Sequence, residues 1–319
     1  MRIGLLNNLR AGRSHAQVWR LLQMLRDHPE VLHVETDSAG AVPEALSDLS
    51  RQEVDLLVVN GGDGTLAHAL TEILEHRVFD GRVPMISVLR GGRTNMTALD
   101  LACQRDPVKG MEALISAADR GDIEERVQRR DVLRVEYGPH QQVRCGMFFG
   151  GGVIHRAIDL IHGNFPQGRV RGSVGATLVT AALIAKLATR GTGGILTPDK
   201  AHIQLDGELV APGEFTLLMA CTLPRLFARL RPFWGTGPGG VRFTALAADA
   251  PHIWRNAPGI VRGNPRAAVR EEDGYLSRNV KRAELRFDCG FTVDGEQCDP
   301  MAGRTVSITA ENHVRFVRA

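Results

Sequence analysis

The 319-residue chain is poor in features that would place it in several common classes. Its five cysteines, Cys103, Cys145, Cys221, Cys289 and Cys298, are odd in number and scattered, with no CxxC pair. That argues against a disulfide framework and predicts a reducing, cytoplasmic setting. The histidines form no HxxxH or HxH pair and no cysteine clusters with them, so a zinc site is not expected. A net charge of +3 is too small to argue for nucleic acid, though it is compatible with mild attraction to an anionic membrane surface. Long hydrophobic runs are missing. The most membrane-like stretch, Ser173–Leu187, is short for a span, carries Lys186 and two threonines and lies near Arg190, which predicts a core or interfacial helix. The chain starts directly on the strand-like Arg2–Leu6, so no signal peptide is expected. Internal repeats, low-complexity tracts and a GxxxxGK[ST] lysine are absent as well.

What is present is ordinary globular material, 43% hydrophobic and 24% charged, at a length comfortable for two domains. The first third alternates apolar strand-like runs with helix-period runs. Strands are expected at Ile3–Asn7, Val31–Glu35, Val54–Val59 and Met85–Leu89. Helices are expected around Val18–Leu25, Val42–Leu49, Leu66–Leu74 and Val108–Ala118. This rhythm predicts a doubly wound, mostly parallel α/β sheet over residues 1–121, with ligands at the carboxyl ends of its strands. From about residue 122 the texture changes to short strand-like segments separated by Gly, Pro and Asp-Gly turns. They are Val132–Tyr137, Val143–Phe149, His202–Leu205, Phe215–Cys221, Val241–Leu246, Ala283–Phe287 and Val306–Thr309, interrupted by one helical patch at Ala176–Leu187. A mostly β second domain over 122–319 is therefore expected, sandwich-like, with the active cleft between the domains. Residues 252–275, rich in Pro, Gly and Arg and poor in apolar pattern, read as a long loop.

The most informative segment is Asn60-Gly61-Gly62-Asp63-Gly64-Thr65, lying between the Val54–Val59 run and a helix-period run. A glycine-rich turn at a helix start presents backbone N–H groups at the positive end of the helix dipole, which is a phosphate site in outline. The amides of Gly61, Gly62 and Gly64 can approach phosphate oxygens closely. The bland alternative is a tight turn with Thr65 capping the helix. A mere cradle would not need the carboxylate of Asp63, so the segment reads as the nucleotide end of a kinase.

Four blocks in order resemble the diacylglycerol kinase catalytic domain family, which includes bacterial lipid kinases and is related to sphingosine kinases. Asn60–Leu66 resembles its GGDGT signature, and Asn8-Leu9-Arg10-Ala11-Gly12 its Asn-Pro-x-Ser/Ala-Gly loop. Gly92-Arg93-Thr94-Asn95-Met96-Thr97-Ala98 resembles its Gly-Thr-x-Asn-Asp-x-Ala motif, and Asp294-Gly295-Glu296 its late Asp-Gly-Glu. The resemblance implies a nucleotide-binding α/β domain followed by a β-sandwich domain, with the C-terminal tail returning to the first domain. It also implies ATP and Mg²⁺ as cofactors and a lipid hydroxyl, diacylglycerol-like, as acceptor. Nucleotide contacts are then expected from Asn8, Gly12, Thr36, Gly61, Gly62, Gly64, Thr65, Arg93, Thr94 and Asn95. Glu296 is the expected general base, with Asp63 orienting Mg²⁺ or the acceptor; metal ligands are not assigned.

Asp-Gly-Glu occurs a second time, at Asp206–Glu208, within a clean alternation that reads as a structural hairpin. The chain also departs from the family pattern: Ala67-His68 stand where Asn-Glu is usual, Met96 where Asp is usual, Arg93 for Thr and Leu9 for Pro. Arg93 could compensate by gripping phosphate directly. The segment Leu223–Trp234 mixes Arg225, Arg229 and Arg231 with Leu, Phe and Trp, as a peripheral membrane contact would, or as a loop packing on the second domain would. An NAD kinase-like enzyme and a catalytically weak lipid- or nucleotide-binding protein are the alternatives. The first lacks its expected Thr-Gly-Ser-Thr-Ala-Tyr segment, and the second leaves Asp63 and Glu296 without a purpose.

Overall fold

The computed structural model describes residues 1–10, 15–92, 94–164, 196–265, 269–299 and 303–319. The expected helical patch at Ala176–Leu187, the wider Ser173–Leu187 stretch, Gly12 and Arg93 lie outside the described residues. The chain forms two compact units, one of residues 1–130 with 313–319 and one from Asp131 to Asn312.

In the first unit, β1 (Ile3–Asn8), β2 (Leu32–Thr36), β3 (Leu56–Gly61) and β4 (Met85–Arg90) pair in parallel in the order β2-β1-β3-β4. Phe316 and Val317 of the last strand, β15 (Thr305–Val317), add a fifth parallel rung beside Ile86 and Ser87. Ser87 donates its hydroxyl hydrogen to the Val317 carbonyl at 2.8 Å. Every residue of β3 is buried, as a parallel strand covered on both faces requires. The helices α1 (His15–Arg26), α2 (Val42–Arg51), α3 (Asp63–Leu74) and α5 (Pro107–Arg120) supply the cover. Helix α2 buries Val42, Ala45, Leu46 and Leu49, the stripe expected from its spacing. Helix α5 starts at Asp106, whose carboxylate accepts the Val108 N–H, and ends at Gly121 with φ of 75°, a left-handed cap.

The second unit is antiparallel and β-rich. Strands β7 (Phe148–Gly152), β8 (Asp199–Leu205), β9 (Glu208–Cys221), β12 (Arg282–Phe287), β13 (Phe291–Val293) and β14 (Glu296–Cys298) run in the order β14-β13-β7-β9-β8-β12. β10 (Val241–Ala247) joins β9 to β11 (Tyr275–Val280), and β5 (Val127–Tyr137) pairs with β6 (Gln142–Gly146). The core gathers Tyr137, Phe149, Phe287 and Phe291, whose rings meet at centroid distances of 5.1–6.4 Å. The mixed α/β plan, parallel first and antiparallel second, is the expected fold class.

Several expected elements differ. Residues 252–275 are not a continuous loop: Ile253–Ile260 is a helix with a buried Asn256 that donates to the Tyr275 hydroxyl at 3.2 Å. Ile253, Trp254, Ala257 and Ile260 do fall at helical spacing, but the helix is short and holds Pro258 and Gly259, which read as loop residues. Strand β11 was likewise hidden, because Ser277 faces inward and accepts the N–H groups of Trp234 and Gly235. The single strand expected at Val143–Phe149 is two, β6 and β7, parted at Met147. β3 starts two residues later than expected, since the Asp55 and Leu56 amides donate to the Arg2 carbonyl, and it runs on into Gly61.

Candidate active site

The order β2-β1-β3-β4 makes β1 the point from which connections leave in opposite directions. Ligands in such sheets sit outside the carboxyl ends at that point. Here those ends carry Asn7 and Asn8, Thr36, Asn60 and Gly61. Asn7 and Asn60 are register partners, and the Asn60 amide donates to Asn7 Oδ1 at 2.8 Å with both residues buried. Among the described residues, Asn7 Nδ2, Asn60 Oδ1 and the hydroxyl of Thr36 are buried without a protein partner. Buried polar atoms with unused capacity are costly unless something meets them, so they mark this edge as a place for polar recognition.

Asn8 links the loops above. It donates to the Thr65 hydroxyl at 2.8 Å and accepts the Arg10 N–H at 2.9 Å, while Leu9 N–H reaches the Thr36 carbonyl. Thr65 therefore does not cap α3. The cap position is Gly62, extended at φ −90° and ψ 178°, with Asp63, Gly64 and Thr65 forming the first helical turn. The glycines are required by close approach. A Cβ on Gly61 would lie 2.6 Å from the Thr65 side chain, and one on Gly92 would lie 2.3 Å from the Gly62 Cα. A Cβ on Gly91 would meet Asn60 Oδ1 and the Gly61 amide nitrogen at 2.7 Å. The turn after β3 and the turn after β4 are thus packed backbone against backbone, a contact that only glycine pairs permit.

Asp63 locks that contact. Its two carboxylate oxygens accept the N–H groups of Met96 and Thr97, at 3.0 and 3.1 Å. These are the first amides of α4 (Met96–Asp100), so Asp63 acts as an N-cap supplied from another loop. Burial pushes the Asp63 carboxyl above its ordinary value, and the Met96 and Thr97 N–H groups pull it partly back. Asn95 closes the loop in the left-handed region, φ 50°, accepting the Gly92 N–H and donating to the Gly92 carbonyl. Thr94 lies beside it, half-buried. The other end of α4 is held by an ion pair between the buried Asp100 and Arg130 at 2.8 Å. Met96 buries its side chain and contributes its amide, so the residue that replaces a carboxylate here keeps the backbone role of its position. Ala67 is buried and His68 half-buried on α3.

The second unit carries the other expected catalytic residue. Asp294 and Gly295 form a two-residue turn with φ of 49° and 91°, and Glu296 opens β14 opposite Val293, exposed. The Leu223–Trp234 segment buries Leu223 and Leu226 and half-buries Phe233 and Trp234, leaving Arg229 and Arg231 exposed. Among the described residues no helix is long and apolar enough to cross a membrane, and no group of three His, Cys, Asp or Glu is placed to hold a metal ion.

Asn7, Gly91 and Arg130 were missed from sequence. Asn7 was readable in principle, as a polar residue ending an apolar strand; Gly91 and Arg130 act through contacts far along the chain.

Residues 2–123 match the model of the diacylglycerol kinase catalytic domain, so the chain carries a domain of that kind, as the motif blocks implied. No curated protein matches the chain. A candidate diacylglycerol kinase of Bacillus anthracis superposes with a TM-score of 0.69 at 14% identity, covering 100% of this chain and 97% of the other. A diacylglycerol kinase from the same organism gives 0.66 at 15% identity, with 100% and 97% covered. An NAD kinase of Archaeoglobus fulgidus, solved with ATP, gives 0.50 at 14% identity, with 100% and 94% covered. At such identities the likeness speaks for the fold, which these kinases share with the chain.

Proposed function

We propose that the protein is an ATP-dependent lipid kinase, transferring the γ-phosphate of ATP to the hydroxyl of a diacylglycerol-like acceptor. The observation that carries this reading is the pair of interlocked glycine turns at the carboxyl ends of β3 and β4, pinned by Asp63 and overlain by Asn8. The Gly61, Gly62 and Gly64 amides lie at the start of α3, where phosphate is favoured. Asn8, Thr36, Thr65, Thr94 and Asn95 would offer hydroxyl and amide groups to the nucleotide. Gly12 and Arg93 complete the nucleotide set, Arg93 supplying the positive charge that a Walker lysine would give elsewhere.

Glu296 serves as general base, taking the proton of the acceptor hydroxyl as its oxygen attacks the γ-phosphorus and the bond to the β-γ bridging oxygen breaks. The Asp63 carboxylate, both of whose oxygens accept amide N–H groups, is the oxygen ligand this turn would offer to Mg²⁺. When bound, the ion would neutralise charge on the phosphates. Asp63 itself holds the two turns in register, and phosphoryl transfer depends chiefly on such positioning. Exposed Arg229 and Arg231 support peripheral contact with an anionic membrane from the cytoplasmic side.

The test is labelled phosphate transfer from ATP to a panel of lipids, NAD and fructose 6-phosphate. Label should appear in a lipid alone, and Arg93→Ala should raise the KM for ATP. Transfer to NAD would replace this reading with the NAD kinase one. ATP binding without transfer to any acceptor would leave a binding protein.

A further inference from the structure

Away from the glycine turns, the second unit has an open groove of about 450 Å³ along the neighbouring strands β12, β15 and β5. That volume suits a small ligand, but the lining is polar almost throughout, which rules out an acyl chain as its natural content. Its floor is set by register. Arg282, Glu284 and Arg286 alternate along β12 and so share one face, and Glu284 and Arg286 pair across with Ser307 and Thr305. Both hydroxyl residues line the groove.

The charges in it divide into two kinds. Glu284 is 3.5 Å from Arg282, and Glu136 is 2.7 Å from Arg134, so each carboxylate already has a guanidinium beside it. Arg286 and Arg304 also line the groove, and neither has a carboxylate partner among the described residues. Arg304 immediately precedes Thr305, the cross-strand partner of Arg286, and both arginines line this one groove. Both residues are exposed at the groove, and an anion placed between two such like charges is favoured. A planar fork of N–H donors is also the side chain best matched to phosphate oxygens.

The geometry points to an anion site here, taking a phosphate monoester: Arg286 and Arg304 clamp its oxygens, and Thr305 and Ser307 donate hydroxyl hydrogens from the floor. The site lies wholly within the second unit and does not depend on the kinase reading. The phosphate monoester can come free in solution or as the headgroup of a phosphorylated lipid.

Two binding arms separate these sources, both run without ATP on the full chain. One is calorimetric titration with inorganic phosphate and glycerol phosphate. The other is sedimentation with phosphatidylcholine vesicles containing phosphatidic acid, or phosphatidylserine at matched charge. Arg286→Gln with Arg304→Gln should weaken phosphate binding roughly 10-fold or more. Arg26→Gln with Arg77→Gln removes the same charge from exposed positions of the first unit and should change nothing. Any phosphate held at the Gly61–Thr65 turn is insensitive to the groove pair, so loss on that substitution reads the groove alone. A response in the soluble arm identifies free phosphate. A response confined to phosphatidic acid vesicles identifies the headgroup. Equal binding by wild type and the groove variant in both arms, with unaltered thermal unfolding, would overturn the site.

Discussion

The two Asp-Gly-Glu hairpins of the second unit make a natural experiment within one chain. Both turns place Asp and Gly in the left-handed region, φ 50° and 88° at Asp206-Gly207 and 49° and 91° at Asp294-Gly295, as a two-residue type I′ connection needs. Both aspartates then do the same second job. Asp206 N–H donates to the Arg282 carbonyl, and its carboxylate accepts the N–H groups of Lys281 and Arg282 where β12 starts. Asp294 N–H donates to the Phe148 carbonyl, and its carboxylate accepts the N–H groups of Met147 and Phe148 where β7 starts. In each copy the Asp and Gly build and anchor a hairpin. Only the glutamates differ. Glu208 is held by Arg278 at 2.7 Å, and that guanidinium also binds Glu271. Glu296 lies on the short β14 strand, exposed, away from that cluster. The three-residue motif is therefore two residues of architecture and one residue whose role its surroundings decide.

The sharpest way to break the comparison is to treat the glutamates alike. Glu296→Gln should lower phosphate transfer by about 100-fold or more, the size expected of a lost general base. Glu208→Gln should leave transfer within about twofold. Labelled transfer to the lipid acceptor reads both. A dead Glu208→Gln beside an active Glu296→Gln would reverse the assignment.

A smaller effect tests the architectural half. Asp294→Ala leaves two half-buried backbone N–H groups without their acceptor and should cost about 1–3 kcal/mol of stability. Asp206→Ala exposes its two amides to water and should cost less than about 1 kcal/mol. Urea midpoints at constant slope measure both. Gly146 sharpens the contrast, because a Cβ there would sit 2.6 Å from Asp294 Oδ2, so the β7 anchor tolerates no side chain at that position. Equal losses at the two aspartates would show that burial does not separate them.

What sequence could reveal follows the same division. Period and turn chemistry are local, so the four parallel strands, the α2 stripe and the Asp206-Gly207 hairpin were legible. The glycine turn at Gly61–Thr65, between a buried strand and a helix, was legible for the same reason. Its partner was not, because the contact of Gly91 and Gly92 with Asn60, Gly61 and Gly62 joins loops thirty residues apart and leaves no periodic trace. Asp63 was visible as a carboxylate out of place, but its capping of α4 depends on Met96 and Thr97 being folded against it. Strand β15 shows the limit on the other side. It extends through polar Glu311, Asn312 and His313, so the apolar reading stopped at Thr309, short of the residues that pair with β4.

The smallest expected effect concerns Glu208 itself, and its sign is set by the Arg278 contact. That hydrogen bond and the guanidinium charge hold the Glu208 carboxyl below its ordinary value. A carboxyl depressed in the folded state contributes stability above its unfolded pKa and loses it as pH falls through the depressed value. The contribution is therefore present at neutral pH and fades only in the acid range. Because the glutamate is exposed, salt screens the pair, and the loss should be small. Unfolding of wild type and Glu208→Gln should then be nearly superimposable at pH 7 in high salt, with a slight wild-type advantage at low salt that disappears in acid. A gap that widened as pH fell would contradict the Arg278 pairing, and with it the claim that this copy of the motif serves structure alone.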